Sequence, residues 1–242
     1  MATIHFILQG KGGVGKSMIA SFLYQALQHE GKEVFAFDTD PVNATLGGYK
    51  EFNVTKIDVL RQGQIDPRKF DELLEALDSL PEGAHAVVDS GASSFVGLGA
   101  YIKEVHMIEE LEESGHAFYF HTVITGGQAI LDTLSGLKAL AEGFPTTPIA
   151  VWLNPYFGEI RLDGLGFEDF KIYQEFSTQF FAIVHIPEVN PATTGRDLLE
   201  LFAKRQSFST GINSSQYIAV RSRLKRFWAQ LLEAMKYAGI TG

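Results

Sequence analysis

Apolar runs rich in β-branched and aromatic residues recur along the chain at 4–8, 34–37, 86–88, 117–123, 149–153 and 181–186. Nearly all lack polar alternation, which predicts parallel strands covered on both faces. Between them the apolar spacing changes to that of a helix. Ile19, Ala20, Leu23, Ala26 and Leu27 set out a helix over 17–29, and Gly31 supplies a C-terminal stop. The same reading predicts helices over 67–80, 97–113 and 128–142, shorter ones near 167–176 and 194–202, and a last one over about 214–238. That last segment sets Tyr217, Val220, Leu224, Phe227, Trp228, Leu231 and Met235 on one face. Strands alternating with helices predict an α/β fold, a doubly wound, mostly parallel sheet with helices on both faces. Neither a repeat nor a linker divides the sequence, so residues 1–242 read as a single domain.

Directly after the first apolar run, Gly10-Lys11-Gly12-Gly13-Val14-Gly15-Lys16-Ser17 fits the pattern G-x-x-x-x-G-K-[ST]. A strand before it and a helix after it are the context that pattern needs. Glycines let backbone N–H groups turn inward around phosphates, and the helix N-terminus adds partial positive charge. Lys16 is then expected along the β- and γ-phosphates, with the Ser17 hydroxyl on Mg²⁺. Met18 carries the stretch into the helix, so Gly10 through Met18 is the expected nucleotide-binding segment. A glycine-rich turn with a chance lysine is the bland alternative, and Lys16-Ser17 in this context argues against it.

Acidic residues stand at two further strand ends. Asp38 and Asp40, at i and i+2 beyond the run 34–37, fall on one side of the backbone beside the phosphate loop. Asp89 follows the run 86–88 in the form of a Walker B strand, where it would accept from a magnesium-bound water. Asn154-Pro155 ends the run 149–153, and Pro187-Glu188-Val189 follows 181–186.

The second lysine of the loop, Lys11, is one an ordinary P-loop does not need. With it, Lys11-Gly12-Gly13-Val14-Gly15-Lys16-Ser17 resembles the deviant Walker A motif of the ParA/MinD family. Asp38-Thr39-Asp40-Pro41, followed by Asn43-Ala44-Thr45, resembles that family's switch I, except that Val42 replaces the usual glutamine and the stretch is one residue shorter. The resemblance implies ATP and ADP as ligands, Mg²⁺ as cofactor, and a nucleotide-dependent homodimer. In that dimer Lys11 would reach the partner's phosphates, with Lys16 and Asp40 as the other catalytic residues. Asp38 would help hold the magnesium shell with Ser17 and Asp89, and Asp40 would orient or deprotonate the attacking water. Asn154 would meet the adenine edge, and the backbone of Pro187, Glu188 and Val189 would close over the base.

Leu8-Gln9-Gly10-Lys11, Gly91-Ala92-Ser93-Ser94-Phe95, Thr125-Gly126-Gly127-Gln128-Ala129 and Trp152-Leu153-Asn154-Pro155-Tyr156 resemble more closely a branch encoded among the DNA-transfer genes of conjugative plasmids. That resemblance implies a protein partner in DNA transfer or partition machinery.

Composition narrows the field. With no cysteine the chain carries no disulfide, thiolate zinc site or cysteine-held cluster. The seven histidines show no metal-ligand spacing. No apolar run reaches the roughly 18–20 residues that span a bilayer. No charged segment and apolar stretch precede the first strand, so the expected location is cytoplasmic. The net charge of −9 is uneven. Residues 203–242 hold seven basic side chains against Glu233 alone, a local +6, which leaves −15 on the rest. Such an end suits nonspecific DNA, a peripheral membrane contact or an acidic partner, and equally a solvated helix face. Two activities fit the motifs: a slowly hydrolysing switch, and a metabolic enzyme passing the γ-phosphate to a small molecule.

Overall fold

A computed structural model of the chain describes residues 1–241. Each long apolar run forms a strand: β1 (Thr3–Ile7), β2 (Val34–Asp38), β6 (His85–Asp89), β7 (Ala117–Thr125), β8 (Ile149–Asn154) and β11 (Phe180–His185). A short edge strand, β3 (Val54–Lys56), completes a seven-stranded sheet of order β11-β8-β7-β1-β6-β2-β3. Every pair in it is parallel. The chain passes from β1 to β2 on one side and later crosses from β6 to β7 on the other, so winding direction reverses beside β1. The carboxyl end of the strands at such a reversal is where open α/β sheets bind ligands.

Successive residues of β1 face opposite ways, which gives the sheet two cores. Ile4 and Phe6 pack with α2 (Asp71–Asp78), α3 (Phe95–Glu104), α4 (Met107–Glu113), α5 (Ile130–Gly143) and the segment around α6 (Lys171–Phe176). Ile7 packs on the other face with α1 (Lys16–His29), α7 (Thr194–Ala203), α8 (Phe208–Ser214) and α9 (Ile218–Tyr237).

Three sequence expectations need revision. The helix expected over 97–113 is two helices, with His106 between them at φ 50°. One continuous helix would put Leu98 and Met107 about 180° apart, whereas the break lets both be fully buried. The helix expected from 214 starts at Ile218, after the separate α8. Its stripe of Leu224, Phe227, Leu231 and Met235 is core, packed against α1, α7 and α8, and Tyr217 is outside that stripe and exposed. Finally, β4 (Leu60–Arg61) with β5 (Gln64–Ile65) and β9 (Arg161–Leu162) with β10 (Leu165–Gly166) form two small hairpins that the apolar runs did not announce.

One polar line crosses the core. Trp152 Nε1–H donates to His121 Nδ1 (3.0 Å), His121 Nε2 lies 2.9 Å from His5 Nδ1, and His5 Nε2 lies 3.1 Å from His85 Nδ1. An indole nitrogen only donates, so the direction is fixed: each histidine is neutral with its hydrogen on Nε2. Burial holds His5 and His121 well below the usual histidine range, His121 at about 3.

Candidate nucleotide-binding site

The site is built where β1, β6 and β2 end together. Ile7 is paired with Asp89, and Asp89 with Asp38, across adjacent strands. Beyond Ile7 the chain turns through Gly13 at φ 76° and Gly15 at φ 108°, left-handed conformations that glycine adopts without strain. Gly15 is the N-cap of α1, with no side chain capping that helix end. Its orphan N–H groups and dipole therefore face the loop interior, the arrangement that binds phosphate.

Lys16, in the first turn of α1, is buried. Its ammonium donates to the Lys11 carbonyl at 3.1 Å, closing the loop on itself. Burial lowers its pKa, and attraction to Asp89 and Asp40 opposes that shift. Asp89 is fully buried and neither carboxylate oxygen has a hydrogen-bond partner. Desolvation pushes it up to about 7; the nearby Ser17 hydroxyl and Lys16 pull it down, and Asp38 and Asp40 push it further up. A carboxylate kept in this condition beside a phosphate cradle is a group awaiting a cation or its water shell. Magnesium therefore fits the donors present, Asp89 and the Ser17 hydroxyl. Asp38 is also buried and raised by desolvation, yet it is satisfied: Asp40 N–H donates to Oδ1 (3.0 Å) and Gly47 N–H to Oδ2 (2.7 Å). It retains free lone pairs for a water.

Asp40 Oδ1 accepts from Val42 N–H (2.9 Å) and Asn43 N–H (3.0 Å), so Oδ2 is the oxygen those bonds leave over. The carboxylate lies against Gly91 after β6, where an added Cβ would sit 2.7 Å from Oδ1. Thr39 ties the same two strand ends together through N–H and Oγ1 to the Asp89 carbonyl (2.9 and 3.2 Å).

The structure also joins the other expected residues. A cavity of about 680 Å³ is lined by Gly13, Val14, Gly15, Met18, Asn154, Pro187, Glu188 and Val189 together with apolar side chains of α1, α7 and α9. Its size and mostly apolar walls suit a nucleobase and sugar. Asn154 is buried there, its Nδ2–H bonded to the Val14 carbonyl (3.0 Å) and its Oδ1 accepting from Tyr156 N–H (3.2 Å). It fastens the phosphate loop to β8 and keeps one N–H and one lone pair over. Gly126 and Gly127, after β7, press against the carbonyls of Phe157, Gly158 and Glu159, so they brace the loop beside the cavity.

The Lys11 side chain pairs outside the phosphate loop. Its ammonium is 2.7 Å from Asp132 in the first turn of α5. Asp132 carries no mark in the sequence, and Thr39 and Gly91 are named there only as members of motif stretches; the fold is what sets each beside Lys11, Asp89 or Asp40. In the basic C-terminal segment, Arg223 is spoken for by Asp197 of α7 (2.5 and 3.1 Å) and Arg221 by the Ser215 carbonyl, whereas Lys225 and Arg226 are exposed.

Strand, glycine turn, helix and strand-tip carboxylates in this order define a P-loop nucleoside-triphosphatase fold. Residues 5–239 match the CobQ/CobB/MinD/ParA nucleotide binding domain, and the chain belongs to that family. It is 43% identical to an Escherichia coli protein named TraL, over 99% of this chain and 100% of that one. A second E. coli TraL is 41% identical over the same shares. Among solved structures, the septum site-determining protein MinD of Pyrococcus horikoshii OT3, complexed with Mg-ADP, superposes with a TM-score of 0.57. That superposition covers 100% of this chain and 99% of the other at 18% identity, which speaks to fold.

Proposed function

We propose that this chain is a magnesium-dependent ATPase of ParA/MinD type, a nucleotide-gated dimeric switch that works in the cytoplasm in plasmid DNA transfer or partition. The observation that carries the reading is the buried, unpartnered Asp89 carboxylate facing Lys16 and Ser17 at an uncapped helix N-terminus. Ser17, Asp89 and, through water, Asp38 would hold the cation. Bound magnesium would supply charge to the phosphate oxygens. The loop N–H groups and Lys16 orient the triphosphate, and Asp40 Oδ2 is placed to take a hydrogen bond or a proton from water. Lys11, released from Asp132, would bring its positive charge to a second subunit's phosphates. Asn154 and the 187–189 backbone would receive the adenine.

Support for a dimer comes from the segments that follow the carboxyl ends of β2, β6, β7 and β8. Val42, Val96, Leu131, Tyr156 and Phe157 are large, exposed and apolar, and each stands within seven residues of Asp40, Asp89, Asp132 or Asn154. Exposed apolar groups gathered round a site mark a face that is covered in use. The client is read from the likeness to TraL, with Lys225, Arg226 and Lys236 of α9 as the DNA-facing cations; their contact would weaken with salt. Buried apolar residues on α9 argue against its use as a membrane anchor.

Calorimetric titration with ATP and ADP in magnesium tests the reading. Binding is expected, and Lys16→Ala is expected to abolish it. Absence of uptake by the unaltered chain would overturn the proposal.

A further inference from the structure

Gln9 stands between β1 and the phosphate loop and is entirely buried. Its Nε2 donates to the Val123 carbonyl (3.0 Å), the Thr133 carbonyl (3.0 Å) and Thr122 Oγ1 (3.3 Å). Carbonyl oxygens accept and never donate, so the amide can sit only one way round, with Oε1 toward the Lys11 N–H at 3.4 Å. That oxygen rests on α5 at Gly136, where the Cβ of any other residue would fall on it. α5 therefore references Lys11 twice: at its backbone through Gln9, and at its ammonium through Asp132.

We propose that Gln9, seated in the notch at Gly136, is a positioning residue for Lys11, fixing the backbone from which that lysine swings between Asp132 and a second subunit's phosphates. The proposal rests on the phosphate-site reading above. A side chain held by two carbonyls and a hydroxyl on β7 and α5 keeps its register while Lys11's ammonium moves. Gln9 acts on turnover through Lys11, and its own hydrogen bonds reach none of residues 13–17, whose N–H groups and Lys16 ammonium would grip ADP.

The test is a mutant cycle on the full-length chain, read by single-turnover phosphate release and by ADP titration. Gln9→Leu keeps the bulk and removes the polar grip. It is expected to slow release by about tenfold or more, the scale of a misplaced catalytic group, at unchanged ADP affinity. Added to Lys11→Ala it is expected to cause no further loss. Gly136→Ala, which displaces the amide from the α5 side, is expected to match Gln9→Leu, and it serves if that variant fails to fold. Losses that multiply in the Lys11→Ala background, or ADP affinity falling in step with rate, would overturn the assignment to Gln9 alone. Failure of the unaltered chain to take up nucleotide would overturn the phosphate site itself.

Discussion

Lys11 and Asp132 form an ion pair at 2.7 Å that ties the phosphate loop to the first turn of α5. Both side chains are about half exposed, so the pair holds Lys11 by no more than about 1 kcal/mol. That is a weak restraint, one that the release proposed for Lys11 could overcome. Asp132→Ala is expected to raise the ATP-dependent dimer fraction by up to about 25-fold at limiting protein, because a symmetric dimer releases two such pairs, each worth at most about fivefold. Lys11→Ala is expected to abolish it. Light scattering with and without ATP reads both. A dimer that tolerates loss of Lys11 would remove the lysine from the interface.

Gly91 offers a cleaner handle on Asp40 than mutating the aspartate. Its backbone, at φ −66° and ψ 150°, accepts any residue. Yet a Cβ there would meet Asp40 Oδ1 at 2.7 Å and Cγ at 2.8 Å. Gly91→Ala should therefore displace the carboxylate without strain of its own. Hydrolysis is expected to fall by about 10²-fold, the lower end for a misplaced general base, with ADP affinity held. Parallel loss of ADP affinity would show that Asp40 supports binding rather than chemistry.

The buried Asp89 carries a stability cost that depends on pH. Its folded pKa, about 7, lies above its ordinary 3.8, so the folded chain holds a proton that the unfolded chain releases. Stability is thus greatest below the lower value and is lost as pH climbs toward the higher. Asp89→Asn is expected to be more stable than the unaltered nucleotide-free chain by about 1–3 kcal/mol at pH ~8 and by less at pH ~5. Denaturant melts at the two values check this. An equal or reversed difference would mean that the carboxylate is already compensated.

The histidine line sets an opposite dependence. His5 and His121 are held below their ordinary 6.5, so the unfolded chain takes up protons that the folded chain refuses. Their contribution is complete above about 6.5 and drains away as pH falls toward the folded values. A proton added at His85 cannot be absorbed quietly. It reverses each tautomer in turn and leaves His121 and Trp152 both offering hydrogens. Melting followed by tryptophan fluorescence is expected to show a steep acid limb, and Trp152→Phe with His121→Leu is expected to flatten it. A limb of equal steepness in the double variant would locate the acid sensitivity elsewhere.

What could be read from the chain beforehand follows from how local each signal is. The six long strands and the phosphate loop were legible because a buried parallel strand is apolar throughout and the loop is one contiguous segment. The edge strand Val54–Lys56 was not, since an edge needs only short, mostly exposed sequence. Asp163-Gly164, with φ 52° and 82°, is a hairpin signal whose flanking strands are only two residues long, too short to form an apolar run. Gln62-Gly63 repeats that geometry with a less typical first residue. Asp38, Asp40 and Asp89 were found by strand-end position. Asp132 has no such mark, and Gln9 stands in a quoted stretch with no role attached, because the meaning of both lies in partners more than a hundred residues away.

The in-register ends of β1, β6 and β2 bind fold and chemistry to one another. Side chains alternate faces along a strand, so sliding β6 by a single position would exchange Val88 for Val87 in the two cores and turn Asp89 away from Lys16 in the same movement. Misalignment of the central strands would cost hydrophobic burial and the placement of the Asp89 carboxylate together. A misthreaded copy of this protein would therefore betray itself by instability before it could persist as a folded, inert subunit.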